Sequence, residues 1–466
     1  MSSLTRSNAM NMTEGPLLGN MIRFTIPVMA SGVLQLLFNA ADVAVVGQFV
    51  GAAAMAAVGS CGALINLIIN LFIGLSIGAG VVAAQDLGAK RYDDVNKLVS
   101  TALTASLVGG ILVGVFGFFM AEPLLRLMNT KEDVLVEAVP YMRAYFCGMP
   151  GCFVYNYLAA LLRSGGDTKR PLYFLTASGV VNVLFNLVMV LGFGMGAVGV
   201  GIATAVSQYV AAALIVVYML RYDGYFRITG FRVSGAKLGR MITIGLPAGL
   251  QGCMFSLSNV IIQSTINNYS TTVVAGNAAA ANIEGFVYIA MNSVYQTALT
   301  FVGQNVGAGT YERIKKIAWR CAAMVTVIGV VLGVVLLLFG DKLLLIYASK
   351  ENREAIIAAG MQRFLLIGGP YFLCGLMDVG CGLLRGMGKA IQPMIVALFG
   401  TCVFRIAWVA VVCPLYPDNI LALYISYPIS WVLTAGVHYL FFIYFYRRYM
   451  KRKSVADTSQ LSQHDA

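Results

Sequence analysis

Twelve apolar segments limit what this chain can become. They run roughly over 22–46, 60–83, 97–120, 138–162, 171–193, 197–220, 241–267, 277–302, 320–340, 361–384, 393–413 and 421–446. At about 20–27 residues, each is long enough as a helix to cross ~30 Å of hydrocarbon with some tilt. Strands of a membrane barrel would be nearer ~10 residues with alternating polarity, and that pattern is absent. With 59% hydrophobic and 11% charged residues and a mean hydropathy of +0.79, no soluble core could hide the apolar surface. The chain therefore reads as an all-α polytopic membrane protein.

Charge gives the orientation. Of 32 Lys and Arg, 24 fall in the terminus-side loops and ends, 7 in the opposite loops and nearby helix ends, and Arg405 lies inside a span. The 7 are Arg126, Lys131, Arg143, Lys342, Lys350, Arg353 and Arg363. By the positive-inside rule both termini are cytoplasmic, and the expected location is the inner (plasma) membrane of a cell, crossed many times. The net charge of +12 is thus a topology signal, and no nucleic-acid partner is expected. The run from Arg447 to Lys453 fits an anchor at an anionic leaflet, followed by a polar, disordered tail. No cleavable signal peptide is visible. Nine Cys make no CxxC pair and only two His occur, so neither a disulfide framework, a metal site nor a cofactor is expected.

The halves repeat. Pro27 matches Pro247. Gln85-Asp86-Leu87-Gly88-Ala89 matches Gln304-Asn305-Val306-Gly307-Ala308. Leu161-Leu162-Arg163 matches Leu383-Leu384-Arg385. Three matches at nearly one offset imply twelve transmembrane helices in two six-helix lobes, related by pseudo-twofold symmetry along the membrane normal. The expected division is a cytoplasmic N-terminus (1–21), an N-lobe (22–220), a cytoplasmic inter-lobe loop (221–240) that its glycines make flexible, a C-lobe (241–446) and the tail (447–466). Two bundles around a cleft suit alternating access, with Pro27 and Pro247 as paired bends.

Asp42 is the only acidic residue of the first span. Gln35 and Asn39, seven and three residues before it, share its helix face. A charge at the centre of a spanning helix costs about 2.5–3.5 kcal/mol, so it usually faces protein or a wet cavity. Ser178, Asn182 and Asn186 form a stripe on the fifth span. Asn66 and Asn70 lie on the second span, Tyr155 and Asn156 on the fourth, and Thr204 and Gln208 on the sixth. These residues are either interhelical glue or a polar chamber around Asp42. In a chamber, the carboxylate could exchange a proton or hold Na⁺ with help from amide oxygens. In the second half, Glu284 and Tyr288 on the eighth span, Asp378 on the tenth and Arg405 on the eleventh form either a mutually compensating charge network or a substrate or ion site.

The stretch from Asn39 to Gly47 with Asp42, the Gln-x-x-Gly-Ala boxes and the Leu-Arg-x-x-Gly boxes resemble the multidrug and toxic compound extrusion (MATE) transporters. The resemblance implies efflux of organic cations and drugs in exchange for H⁺ or Na⁺, with Asp42 at the family's first-span coupling position. Where that family carries Asn-x-x-x-Asp on the fifth span, this chain has Asn182 and Asn186. The missing carboxylate favours H⁺ over Na⁺.

The reading is therefore a monomeric, non-enzymatic secondary exporter in a lipid bilayer. Asp42, Asn39, Asn182 and Asn186 are the ion-coupling set. Gln35, Asn66, Asn70, Tyr155, Asn156 and Gln208 line its polar cavity. The alternative is a flippase for lipid-linked substrates, or an exporter of an endogenous metabolite, on a related fold. No nucleophile or metal set supports a membrane enzyme.

Overall fold

The computed structural model describes residues 10, 12–128, 130–347, 352–417 and 419–464. Lys350 of the charge count, Arg6 and the rest of 1–9, and residue 11 of the expected N-terminal segment lie outside them. The described chain is a succession of helices. α1 is Leu17–Phe49, α2 Ala52–Gly88, α3 Tyr92–Leu127, α4 Glu132–Cys147, α5 Met149–Ser164, α6 Lys169–Leu187, α7 Gly196–Leu220 and α8 Gly235–Ile266. Then come α9 Thr271–Gly307, α10 Tyr311–Leu344, α11 Arg353–Arg363, α12 Phe372–Gly386, α13 Ile391–Ala397, α14 Phe404–Val411, α15 Ile420–Tyr424 and α16 Ser426–His464. Among the described residues eleven helices have the length and hydropathy to cross a membrane. α4 and α5 together supply a twelfth, bent by 45°.

That bend has a local cause. Pro150 stands in the first turn of α5 and cannot donate to the Phe146 carbonyl, so the helix breaks at Gly148. The Tyr209 hydroxyl donates to the Cys147 carbonyl at 2.7 Å, satisfying an acceptor at the break. The tenth span is broken at the matching place. A π turn at Phe364–Gly368 and a 3₁₀ turn at Gly369–Tyr371 separate α11 from α12, and Pro370 leaves helical geometry there.

The repeat extends to the backbone. α2 and α9 both have 37 residues. The left-handed residues that end their turns, Lys90 (φ 56°) and Gly309 (φ 69°), occupy matching positions, as do Gly166 (φ 89°) and Gly388 (φ 76°). Glycine meets this demand without strain, whereas Lys90 carries a cost of roughly 1–2 kcal/mol.

The chain forms two compact units. One is built on Ile26–Cys253; the other joins Met12–Thr25 to Met254 onward. The division cuts α1 and α8 rather than following the 221–240 linker, because the first half of α8 packs backbone to backbone on α2. A Cβ added at Gly74 would lie 2.1 Å from the Gly249 nitrogen, and one at Gly78 2.2 Å from the Met241 carbonyl oxygen. Only glycine permits such an approach. The lead-in to α1 is held by the second unit in the same manner. Asn305 donates to the Met12 carbonyl at 3.1 Å, Arg313 to the Glu14 and Gly15 carbonyls, and the Phe24 ring meets Phe301 edge-on at 5.8 Å.

Contacts hold the linker at several points, and the expected tail needs correction. Asp86, fully buried, accepts from Lys237 at 2.6 Å, Arg91 at 2.6 Å and Arg240 at 3.3 Å. Asn96 donates to the Arg227 carbonyl at 2.9 Å. The tail is helical as far as His464, since nothing from Lys451 onward supplies the Gly or Pro that would stop α16.

Each unit has its own apolar interior. Phe146, Met142, Leu125 and Val200 lie in the first; Tyr424, Leu423, Ile262 and Trp431 lie in the second. The outer faces are also apolar. α10, for example, exposes Val327, Val331, Val334 and Leu338, as a helix facing hydrocarbon requires.

Candidate functional site

In the first unit α6 brings two amides to Asp42. A Cβ built at Gly179 would lie 1.8 Å from Phe38, so α1 can lie this close to α6 only because residue 179 has no side chain. One turn further along α1 and two turns further along α6, Asn186 Nδ2 donates to an Asp42 carboxylate oxygen. The same Nδ2 reaches Asn182 Oδ1 at 3.3 Å. Asn182 Nδ2 reaches Thr204 Oγ1 on α7 at 3.4 Å, and Thr204 donates back to the Val200 carbonyl at 2.9 Å. Asp42 is half-buried, while Asn182 and Asn186 are buried. The chain Asp42–Asn186–Asn182–Thr204 therefore spans three helices. Within it, Asn186 Oδ1 is a buried acceptor with no hydrogen-bond partner among the described residues. α6 passes into a π turn at Val188–Gly192, two residues after Asn186, a feature frequent where a helix serves a site.

The other polar stripes do not converge on this carboxylate. Gln35 and Asn39 share the Asp42 face but are exposed. Asn66 is exposed as well, and Asn70 packs beside Gly252 of α8. Ser178 bonds its own helix at the Leu175 carbonyl. Tyr155 donates to the Pro171 carbonyl at 2.8 Å, tying α5 to α6. Asn156 donates to Cys152 of its own helix. Gln208 lies at the Gly148 break. Helical spacing places these residues on faces, but only packing decides which faces meet.

In the second unit Glu284 pairs with Arg363, which was not among the residues of the expected charge network. Arg363 forks onto Glu284, with Nη2 at 2.7 Å and Nε at 3.1 and 3.2 Å from the carboxylate oxygens. Its Nη1 donates to Asn277 Oδ1 at 2.6 Å. Tyr424 donates to the same oxygen at 3.2 Å. Arg363 lies just inside the tenth apolar segment and reads as a helix-end residue. The break after it turns it inward instead. Asn277, seven residues before Glu284, shares that residue's face and was equally legible. Tyr288 is exposed and Asp378 half-buried. Arg405 is buried, bonds Ser430 Oγ at 2.9 Å through Nε and stacks on Tyr427 with its guanidinium carbon 4.0 Å from the ring centroid.

His438 was also missed as a structural element. Its ring nitrogens face the Met377 carbonyl at 3.0 Å and the Pro393 carbonyl at 3.3 Å, tying α16 to α12 and α13.

The MatE family profile matches residues 27–188 and 247–411, which fall in both halves of the repeat. A probable multidrug resistance protein, YoeA, of Bacillus subtilis (strain 168) is 27% identical over 445 residues, covering 93% of this chain and 94% of that one. The probable multidrug resistance protein NorM of Thermotoga maritima is 22% identical, with 91% of each chain covered. A solved structure described as the outward-facing conformation of a multidrug resistance MATE family transporter of the MOP superfamily matches with a TM-score of 0.89. It is 20% identical and covers 95% of this chain and 99% of that chain, a likeness of fold.

Proposed function

The chain belongs to the MatE family, and on that premise we propose that it is a secondary active multidrug exporter. It works by alternating access in the bacterial plasma membrane, as a monomer with both termini cytoplasmic. It exchanges organic cations for protons, with Asp42 as the coupling group. The names of its relatives support drug efflux. The observation that carries the coupling is the Asp42–Asn186–Asn182–Thr204 chain.

A carboxylate fed by one amide donor can take a proton on its other oxygen. The free Asn186 carbonyl oxygen is an acceptor for a rearranged bond. A proton suits a site with a single carboxylate. Na⁺ would need several oxygen ligands, and Asn at position 186 brings no second charge to help hold it. Protonated and ionised Asp42 then differ in how strongly they hold α6 and α7. A substrate cation competes with the proton for the same negative charge, which is the basis of exchange.

The test is substrate efflux from proteoliposomes holding the full chain, with the H⁺ and Na⁺ gradients collapsed one at a time. Loss of efflux with the proton gradient alone is the expected result. Efflux that follows only the Na⁺ gradient would move the coupling to that ion.

A further inference from the structure

The second unit contains a buried cation whose carboxylate partner is missing. Arg405 is 5% exposed. Its Nε is satisfied by Ser430, but its Nη2 is buried without a hydrogen-bond partner among the described residues. Arginine cannot shed its proton to escape the cost of burial. The guanidinium stacks on Tyr427 and lies 5.7 Å from the Trp431 ring centroid.

Arg363 also approaches the Tyr427 ring, at 5.8 Å, and its charge is taken by Glu284. Two guanidiniums thus share one ring, and one carboxylate is paired between them. Asp378 makes no ion pair within 4.0 Å among the described residues. The π turn Leu398–Val403 runs directly into the helix that carries Arg405, as the other π turns adjoin Asn186 and Arg363.

Aromatic faces supply part of the stabilisation of a cation, yet a buried, unpartnered N–H donor in a low-dielectric interior still calls for an acceptor. A guanidinium is built for planar oxyanions. We propose that Arg405 receives an anionic group at Nη2, and that this group is the carboxylate of a transported compound. The exporter would then select molecules that carry a carboxylate beside their cationic centre. The proposal deepens the export reading and rests on it for the word "transported"; the anion site itself does not.

The test separates the two. The full chain is placed in nanodiscs with Trp319→Phe and Trp408→Phe, leaving Trp431 as the one remaining Trp of three and a reporter beside Arg405. It is titrated with 4-(aminomethyl)benzoate, a zwitterion, and with its methyl ester, a cation of nearly the same shape. Potassium chloride and potassium acetate are run as free anions.

The expected result is a saturable change in Trp431 emission, with the zwitterion binding at least tenfold more tightly than the ester. In Arg405→Gln that preference should fall below twofold while ester affinity stays within threefold. Arg405→Lys, which keeps the charge but loses the planar fork, should fall between. Equal binding of zwitterion and ester by the unaltered chain overturns the proposal, whether or not the variants fold. So does a preference that survives Arg405→Gln. If chloride or acetate saturates the signal while the two esterification states bind alike, a free anion is the occupant, and selection of the substrate carboxylate fails. Retained zwitterion preference without any transport would instead count against the export reading.

Discussion

Glu284 and Arg363 should be unequal in what their removal costs. The pair is forked and buried, with three donor contacts between 2.7 and 3.2 Å and a fourth from Arg363 to Asn277 at 2.6 Å. Breaking a buried ion pair by deleting one partner typically costs about 3–5 kcal/mol, because the other charge is left behind. The consequence differs with the sign of the charge that remains.

In Glu284→Gln the interior keeps Arg363 and Arg405, both facing Tyr427. Neither guanidinium can lose its proton, so the full cost of about 3–5 kcal/mol is expected. In Arg363→Gln the carboxyl that remains can neutralise itself by binding a proton, and Gln can still donate one hydrogen bond. A smaller loss, about 1–3 kcal/mol, is expected, the ordinary cost of an imperfectly satisfied buried group. The double variant Glu284→Gln with Arg363→Gln should lie well short of the sum, since each substitution removes what the other leaves unpaired. The assay is unfolding of the purified chain in detergent micelles, followed at matched protein and lipid content. Equal losses in the two single variants, or additive losses in the double, would refute the charge argument. The pair would then be held by packing.

Three further outcomes follow from close contacts. Gly179→Ala places a methyl against Phe38 and should cost about 1–3 kcal/mol by overpacking, with loss of exchange; adding Phe38→Leu should restore part of both, and no recovery would show that the approach of α1 to α6 is not what fails. Asp86→Asn removes the charge that Lys237, Arg91 and Arg240 share, so trypsin should cut after Arg227 or Arg232 many-fold faster; an unchanged cutting rate would mean that the linker is held by other contacts. Tyr209→Phe leaves the Cys147 carbonyl without its hydroxyl donor and should destabilise the first unit by about 0.5–1.5 kcal/mol in the same unfolding assay, whereas a neutral outcome would mean that water replaces the hydroxyl.

The span count, the repeat and the place of Asp42 on a spanning helix were legible because they rest on hydropathy and spacing, which can be read without knowing how helices pack. The repeat could be followed even to left-handed turns, since Gln85 and Gln304 mark helix ends that stop in the same way. What was not legible depends on rotation and depth. Gln35 and Asn39 share a face with Asp42, yet neither joins its hydrogen-bonded chain, because the α1–α6 approach is fixed at Gly179, which no polar pattern marks. Arg363 was counted as a helix-end residue because the break at Pro370, which determines where α11 points, looks in sequence like a proline of any spanning helix. The contacts of the linker were not legible either: Lys237 and Arg240 meet the buried Asp86 carboxylate, and no spacing in the sequence marks that meeting.

The central claim is that Asp42 carries a proton which substrate displaces. It is tested most directly by adding a transported cation to the purified chain in weakly buffered detergent solution containing a pH indicator. The account predicts release of about one proton per chain, absent in Asp42→Asn even at substrate concentrations that saturate binding. Undiminished release in Asp42→Asn, or saturating binding to the unaltered chain with no release at all, would contradict it.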